Sequence, residues 1–294
     1  MRYLGPILRA LVTAWLAATL VFFGMRLFGL DGLSAQYQLI DLNAEQLEDR
    51  LTALSLNRSA VEQYALFLLG VLRADLGQSF YSPLSVTEII AQRLPSSVGL
   101  TSAALLLALP VALLLGLSAH HVRWGRTARA VIALGLSLPI YWTGTLVAFS
   151  IAVWLGGVAR NIWLAPMLLG WHVGVGLAQV VQSQYQQIIV SPFWRAAQAR
   201  GLRSVYLQRH ALPHIILALL PILGSQFAFL LSGAIVTESI FLRPGLGTLL
   251  IDAVLQRDYP LVQGVVIVLA LLVSGVQTLA RVLLVCLDPR LRCS

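Results

Sequence analysis

Apolar residues gather in six long runs, at roughly 6–30, 97–119, 130–156, 164–186, 215–241 and 261–287. A helix needs about 20 mostly apolar residues to cross the ~30 Å hydrocarbon layer of a bilayer, and each run supplies them. The pattern therefore predicts an all-α integral membrane protein with six transmembrane helices. The first run is longer than the apolar stretch of a cleaved leader and predicts an uncleaved anchor over 1–30. The fourth is interrupted by Gly170, Gly174 and Gly176 and carries Gln179, Gln182 and Gln184. Lipid does not tolerate that polarity, so this helix is expected to face protein or an aqueous path. Pro139 and Pro221 fall inside the third and fifth runs and should kink them.

Residues 31–95 have a different rhythm. A polar residue with an acid or amide three positions on, the mark of a capping box, recurs at Asn43 with Gln46, Ser59 with Glu62, and Ser85 with Glu88. The helix after Asn43 would gather Leu47, Leu51 and Leu54 on one face, and that after Ser59 would gather Val61, Tyr64, Leu68 and Leu72. Both are too short and too charged to cross. They are expected to lie along the outer membrane surface or on the span ends.

Composition removes several classes of function. Of the 294 residues, 58% are hydrophobic and only 11% charged, with a mean hydropathy of +0.83, whereas a soluble domain carries about 25% charged residues. All 20 basic residues are Arg. The absence of Lys excludes a Walker P-loop and Schiff-base chemistry, so the chain binds no ATP by that motif. No paired carboxylates or nucleophile–base spacing lie within the spans, so an intramembrane enzyme is not expected. Internal inverted repeats, common in self-sufficient secondary transporters, are not evident either. Cys286 and Cys293 are too few for a disulfide framework or a zinc site.

The net charge of +8 gains meaning from its placement. With both termini in the cytoplasm, the inner segments hold 12 Arg against one acid, and the outer segments 8 Arg against 11 acids. That is a positive-inside distribution, so the basic excess signals topology and not nucleic acid.

Residues 191–213 form the most informative inner loop. Ser191 suits an N-cap, Pro192 the first helical position, and Gly201 a left-handed terminator. Ser204 could cap a second short helix ending before Pro213. Phe193 and Trp194 would stand exposed at the tip, a plug for a partner's groove. In the fifth span, Gln226, Ser232, Thr237 and Glu238 are candidates to line a translocation path, since acids within spans are costly and usually functional. Alternatively, Glu238 hydrogen-bonds the turn beyond it and Ser232 and Gly233 serve helix packing. His120 and His121 are expected to be solvated. His172 has no second ligand one turn away, so no metal site is expected.

The spacing Ala196-Ala197, three residues, Gly201, eight residues, then His210-Ala211-Leu212-Pro213 resembles the EAA loop of ABC-importer permeases. Further matches are Asp75-Leu76-Gly77, Arg93-Leu94-Pro95, Gly135-Leu136-Ser137-Leu138-Pro139, Glu238-Ser239-Ile240-Phe241, Pro244-Gly245-Leu246-Gly247, Arg257-Asp258-Tyr259-Pro260 and Leu287-Asp288-Pro289-Arg290. Together they resemble the dipeptide, oligopeptide, nickel and glutathione branch of that family. The chain departs from it at Arg195, where the Glu of the motif's name would stand, and at Pro192-Phe193, where an acid-aromatic pair is usual. It departs again at Gln182, Gln184, Gln186 and Gln187, where arginines often close the fourth span.

The resemblance implies a type I ABC importer (MetI-like) permease fold in a bacterial inner membrane. The chain would comprise an anchor helix (1–30), an amphipathic helical extracytoplasmic segment (31–95) and a permease core (96–294). It would form half of the path for peptides or related small solutes, with nickel chelates or glutathione as alternatives. The implied partners are a second paralogous permease, one or two ABC ATPase subunits that hold ATP and Mg, and an extracytoplasmic solute-binding protein. No cofactor is implied on this chain. The implied ATPase contact comprises Phe193, Trp194, Arg195, Ala196, Ala197 and Gly201, with His210, Leu212 and Pro213 closing the motif.

Overall fold

A computed structural model describes residues 4–27, 58–154, 163–202 and 204–287. The expected helix after Asn43 and the motif residues Asp288, Pro289 and Arg290 lie outside these. The described residues form ten helices: α1 (Leu4–Leu27), α2 (Ala60–Leu72), α3 (Val86–Ser118), α4 (Gly125–Ser137) and α5 (Ile140–Trp154), followed by α6 (Leu164–Ile189), α7 (Pro192–Ala199), α8 (Ser204–Ile240), α9 (Leu246–Gln256) and α10 (Tyr259–Leu287). By length and composition, α1, α3, α6, α8 and α10 can each cross a membrane, and α4 with α5 make a sixth crossing if the bent pair is one span.

Two capping boxes form as the sequence pattern requires. Ser59 Oγ accepts from the Glu62 N–H, and the Glu62 carboxylate accepts from the Ser59 N–H. Ser85 and Glu88 repeat this reciprocal pair. The second box opens α3 itself, so that span begins at Val86, eleven residues before the apolar run, and the expected boundary at residue 95 falls inside one helix. Helix α2 rests on the second half of α1. The Tyr64 and Phe67 rings lie 5.1 and 5.6 Å from that of Phe22, and Tyr64 Oη is 2.6 Å from Thr19 Oγ1. Of the stripe expected on α2, Tyr64 and Leu68 are half-buried, while Val61 and Leu72 at its ends are exposed.

The third run is not one straight helix. Leu138 is extended, with ψ 120°, because the ring of Pro139 excludes the helical region for the residue before it. Helices α4 and α5 consequently meet at 89°.

The glycines of α6 have a packing role. A Cβ on Gly170 would stand 2.9 Å from the Ala104 carbonyl oxygen, and one on Gly174 would stand 3.0 Å from that of Ala108. Ala104, Ala108, Ala112 and Gly116 repeat every four residues along the facing side of α3 and are buried. Small residues on both sides let two backbones approach closely where lipid offers no hydrophobic drive between helices. Helix α6 is accordingly the most buried of the long helices. Its polar residues Gln179, Ser183, Gln186 and Gln187 lie together on the opposite, exposed side.

Helix α8 overturns a second expectation. No separate short helix ends before Pro213. One helix of 37 residues runs from Ser204 to Ile240, through both Pro213 and Pro221. At 1.5 Å per residue it is about 55 Å long, nearly twice the hydrocarbon thickness.

Candidate functional site

Helix α7 is built as its sequence dictates. Ser191 is extended and accepts the Trp194 N–H at 3.3 Å. Pro192 occupies the first turn, where its missing N–H leaves no gap. The segment stops at Gly201, whose φ of +76° costs a side-chain-bearing residue energy but not glycine.

The residues of α7 divide by face. Trp194 is only 6% exposed and Ala197 is buried with it, whereas Phe193 is 50% exposed, and Arg195, Ala196, Gln198 and Arg200 are also exposed. Trp194 therefore does not stand at the tip. Its ring meets that of Tyr185 on α6 edge-on at 5.8 Å. Tyr185 in turn lies 5.0 Å from His120, at the end of α3. His120, expected to be solvated, is half-buried, with Nε2 3.2 Å from the Gln182 carbonyl oxygen. On the other flank, Phe193 approaches the His214 ring of α8 at 6.1 Å. Trp194 and Ala197 join Leu207, Ala211 and Ile215 of α8 in one apolar core that continues up α6 and α3. His210 and Pro213 are exposed and Leu212 is half-buried. The helix thus presents one face to its own spans and another to whatever lies outside.

The four candidate path residues on α8 do not share a face. Thr237 and Glu238 are buried, Gln226 is half-buried and Ser232 is exposed. Ser232 Oγ bonds its own helix, at the Ala228 carbonyl (3.0 Å). Glu238 is fully enclosed. Its carboxylate accepts from Ser97 Oγ on α3, from the Gly247 N–H (2.9 Å) and from the Thr248 N–H (3.1 Å). Ser97 Oγ also accepts the Leu246 N–H at 2.7 Å. The acid and the serine therefore satisfy the free N–H groups that open α9. A Cβ on Gly245 would fall 2.0 Å from a Glu238 carboxylate oxygen, which explains the glycine in Pro244-Gly245-Leu246-Gly247. This arrangement is the hydrogen-bonded turn, and Glu238 and Thr237 line no open surface of the chain.

A second buried acid joins the Arg257-Asp258-Tyr259-Pro260 motif to the residues just after Asp75-Leu76-Gly77. Ser79 Oγ donates to Asp258, whose other oxygen accepts the Leu261 N–H at 3.3 Å and so caps α10. Phe80 meets Tyr259 edge-on at 6.1 Å. Burial pushes the Asp258 carboxyl above the usual carboxylate range, against the hydrogen bonds from Ser79, Phe80 and Leu261. Sequence reasoning marked the Asp258 motif and Asp75-Leu76-Gly77 but not Ser79 or Phe80, which follow the latter. His172 Nε2 lies 2.8 Å from Thr143 Oγ1, a link between α6 and α5, and no three metal-ligating side chains gather among the described residues.

Residues 108–292 match the family model described as "Binding-protein-dependent transport system inner membrane component". The chain belongs to this family. The permease is 31% identical over 268 residues to a Brucella abortus protein named as a peptide transport system permease, covering 84% of this chain and 85% of that one. It is 32% identical over 250 residues to the glutathione transport system permease protein GsiC of Pectobacterium atrosepticum, covering 81% and 82%. Its fold matches a chain of the inward-facing MetNI methionine ABC transporter with a TM-score of 0.60 at 16% identity, over 68% of the permease and 96% of that chain. It matches a chain of an amino acid ABC transporter with a TM-score of 0.54 at 19% identity, over 69% and 94%. The permease is thus a multi-pass membrane component of ABC import, a family that works with ATPase and substrate-binding subunits.

Proposed function

We propose that the permease passes peptides or related small solutes such as glutathione, and that α7 is where an ATPase subunit grips it. Both termini lie in the cytoplasm, the segment between α1 and α3 lies on the opposite side of the membrane, and a second paralogous permease completes the path. ATP and Mg reside on the partner ATPases. The observation that carries this reading is the division of α7. Phe193, Arg195, Ala196, Gln198 and Arg200 offer an exposed face. Trp194 passes any displacement of that face to α6 and α3 through Tyr185 and His120. The chain holds a path with two arrangements, and its neighbours supply the energy that biases them.

The path itself follows the exposed polar side of α6, at Gln179, Ser183 and Gln186, and of α8, at Ser225 and Ser232 with Gln226 beside them. Relatives near 30% identity over most of both chains support peptides and glutathione alike.

The test is Ala196→Trp, a bulky change on the free face of α7. The variant should insert and melt like the parent, fail to co-purify with the ATPase, and lose ATP-dependent peptide uptake in proteoliposomes. Undiminished association and uptake would refute the docking role.

A further inference from the structure

Helices α1 and α10 pack against each other, and at the α7 end of the bundle a cleft of about 210 Å³ opens between them. Arg9 and Thr13 line it from α1, and Ser274, Gln277, Thr278 and Arg281 from α10. The spacing explains the convergence. Positions 274, 277, 278 and 281 fall on one helical face, and 9 and 13 are one turn apart. Thr13 Oγ1 donates to the Arg9 carbonyl at 2.8 Å and keeps its lone pairs for the cleft. Among the described residues, no acid lines the cleft and neither arginine has an acidic partner. Two guanidinium groups thus share a small polar recess with no acid among the described residues to neutralise them.

The position in the membrane narrows the ligand. Arg9 and Arg26 are 17 residues apart on α1, about 26 Å, so they straddle most of the hydrocarbon layer. Arg9 therefore sits at the headgroup level. From Arg281, the lining continues seven residues along α10 to the buried Ser274, about 10 Å toward the midplane. An inorganic ion would use only the arginine end. A phospholipid would fill both, its phosphate on the forked guanidiniums and its ester oxygens against Gln277 and Ser274.

We propose that this cleft binds the phosphodiester of an anionic phospholipid, in the leaflet on the α7 side, and that the lipid bridges α1 to α10. Two uncompensated positive charges favour a headgroup of net negative charge over a zwitterionic one, as basic pockets between spans do. The inference needs only a membrane-spanning chain and is independent of the transported solute.

The test is lipid-dependent stability of the full-length chain, delipidated in neutral detergent. Phosphatidylglycerol should raise the melting temperature of the parent, and phosphatidylcholine should not. The Arg9→Gln/Arg281→Gln variant should bind phosphatidylglycerol about 30-fold more weakly. Native mass spectrometry of the parent alone should retain one phosphatidylglycerol per chain, which keeps the test decisive if the variant misfolds. An equal response to both lipids, or an unchanged response in the double variant, would overturn the proposal. So would an equal stabilisation by inorganic phosphate, which would make the cleft a free-anion site.

Discussion

Replacing Glu238 by alanine removes the acceptor for three donors, the Ser97 hydroxyl and the Gly247 and Thr248 amides, all enclosed where α3, α8 and α9 meet. A buried donor stripped of its partner costs about 1–3 kcal/mol. Relaxation will recover part of this, which leaves roughly 3–6 kcal/mol for the set. Glu238→Gln keeps one carbonyl for the two amides and turns its NH₂ toward Ser97, so its cost should be near 1–2 kcal/mol. At about 2–4 °C per kcal/mol, alanine should lower the melting temperature of the detergent-purified permease by about 6–24 °C, and glutamine by a few degrees. Adding Ser97→Ala to Glu238→Ala should cost less than the sum of the two single changes, because both act on one network. The decisive comparison sets melting against uptake. A Glu238→Ala protein that melts like the parent while its assembled importer loses uptake would place the acid on the solute path and refute the structural role argued here.

Three further outcomes follow from the same geometry. Gly201→Val forces a β-branched residue to φ +76°, at a cost of about 1–3 kcal/mol, and should detach the end of α7, seen as faster proteolysis after Arg200 with the spans intact. Gly170→Val places a Cβ 2.8 Å from that of Leu107 and should cost about 1–3 kcal/mol by overpacking, lowering the yield of folded protein in membranes. Asp258 titrates above its unfolded value because burial disfavours its charge, so the native state holds its proton over a higher pH range than the unfolded chain does. Its contribution is fully present below the ordinary aspartate pKa near 3.9 and is lost as pH rises through the elevated native value. The parent should therefore gain thermal stability relative to Asp258→Asn as pH falls from 7 toward 4, and a gain in the opposite direction would contradict the assignment.

Local chemistry was readable wherever one residue type decides the backbone. Ser59, Ser85 and Ser191 cap helices, Gly201 ends one, and Leu138-Pro139 breaks a run. Orientation was not readable within the spans, because lipid and protein core are equally apolar and the usual contrast between faces disappears. The continuity of α8 was hidden by Pro213, which ordinarily ends a helix but here is exposed, while Leu207, Ala211 and Ile215 on either side of it pack into the core. Trp194 could have been placed correctly. Arg195 and Gln198 lie one turn apart, which puts Trp194 and Ala197 together on the inward side. The pairing of Ser79 with Asp258 carries no local signal at 179 residues' separation; it exists only in the packed chain.

The unbroken length of α8 ties the α7 end of the bundle mechanically to the Glu238 junction. A rod of about 55 Å pivoting by about 5° at one end sweeps the other by roughly 5 Å, close to one helical pitch. Pro213 and Pro221 each remove a rung of its hydrogen-bond ladder without ending the helix, so the share of a push near Trp194 that arrives beside Ser97 is set by the stiffness at those two residues.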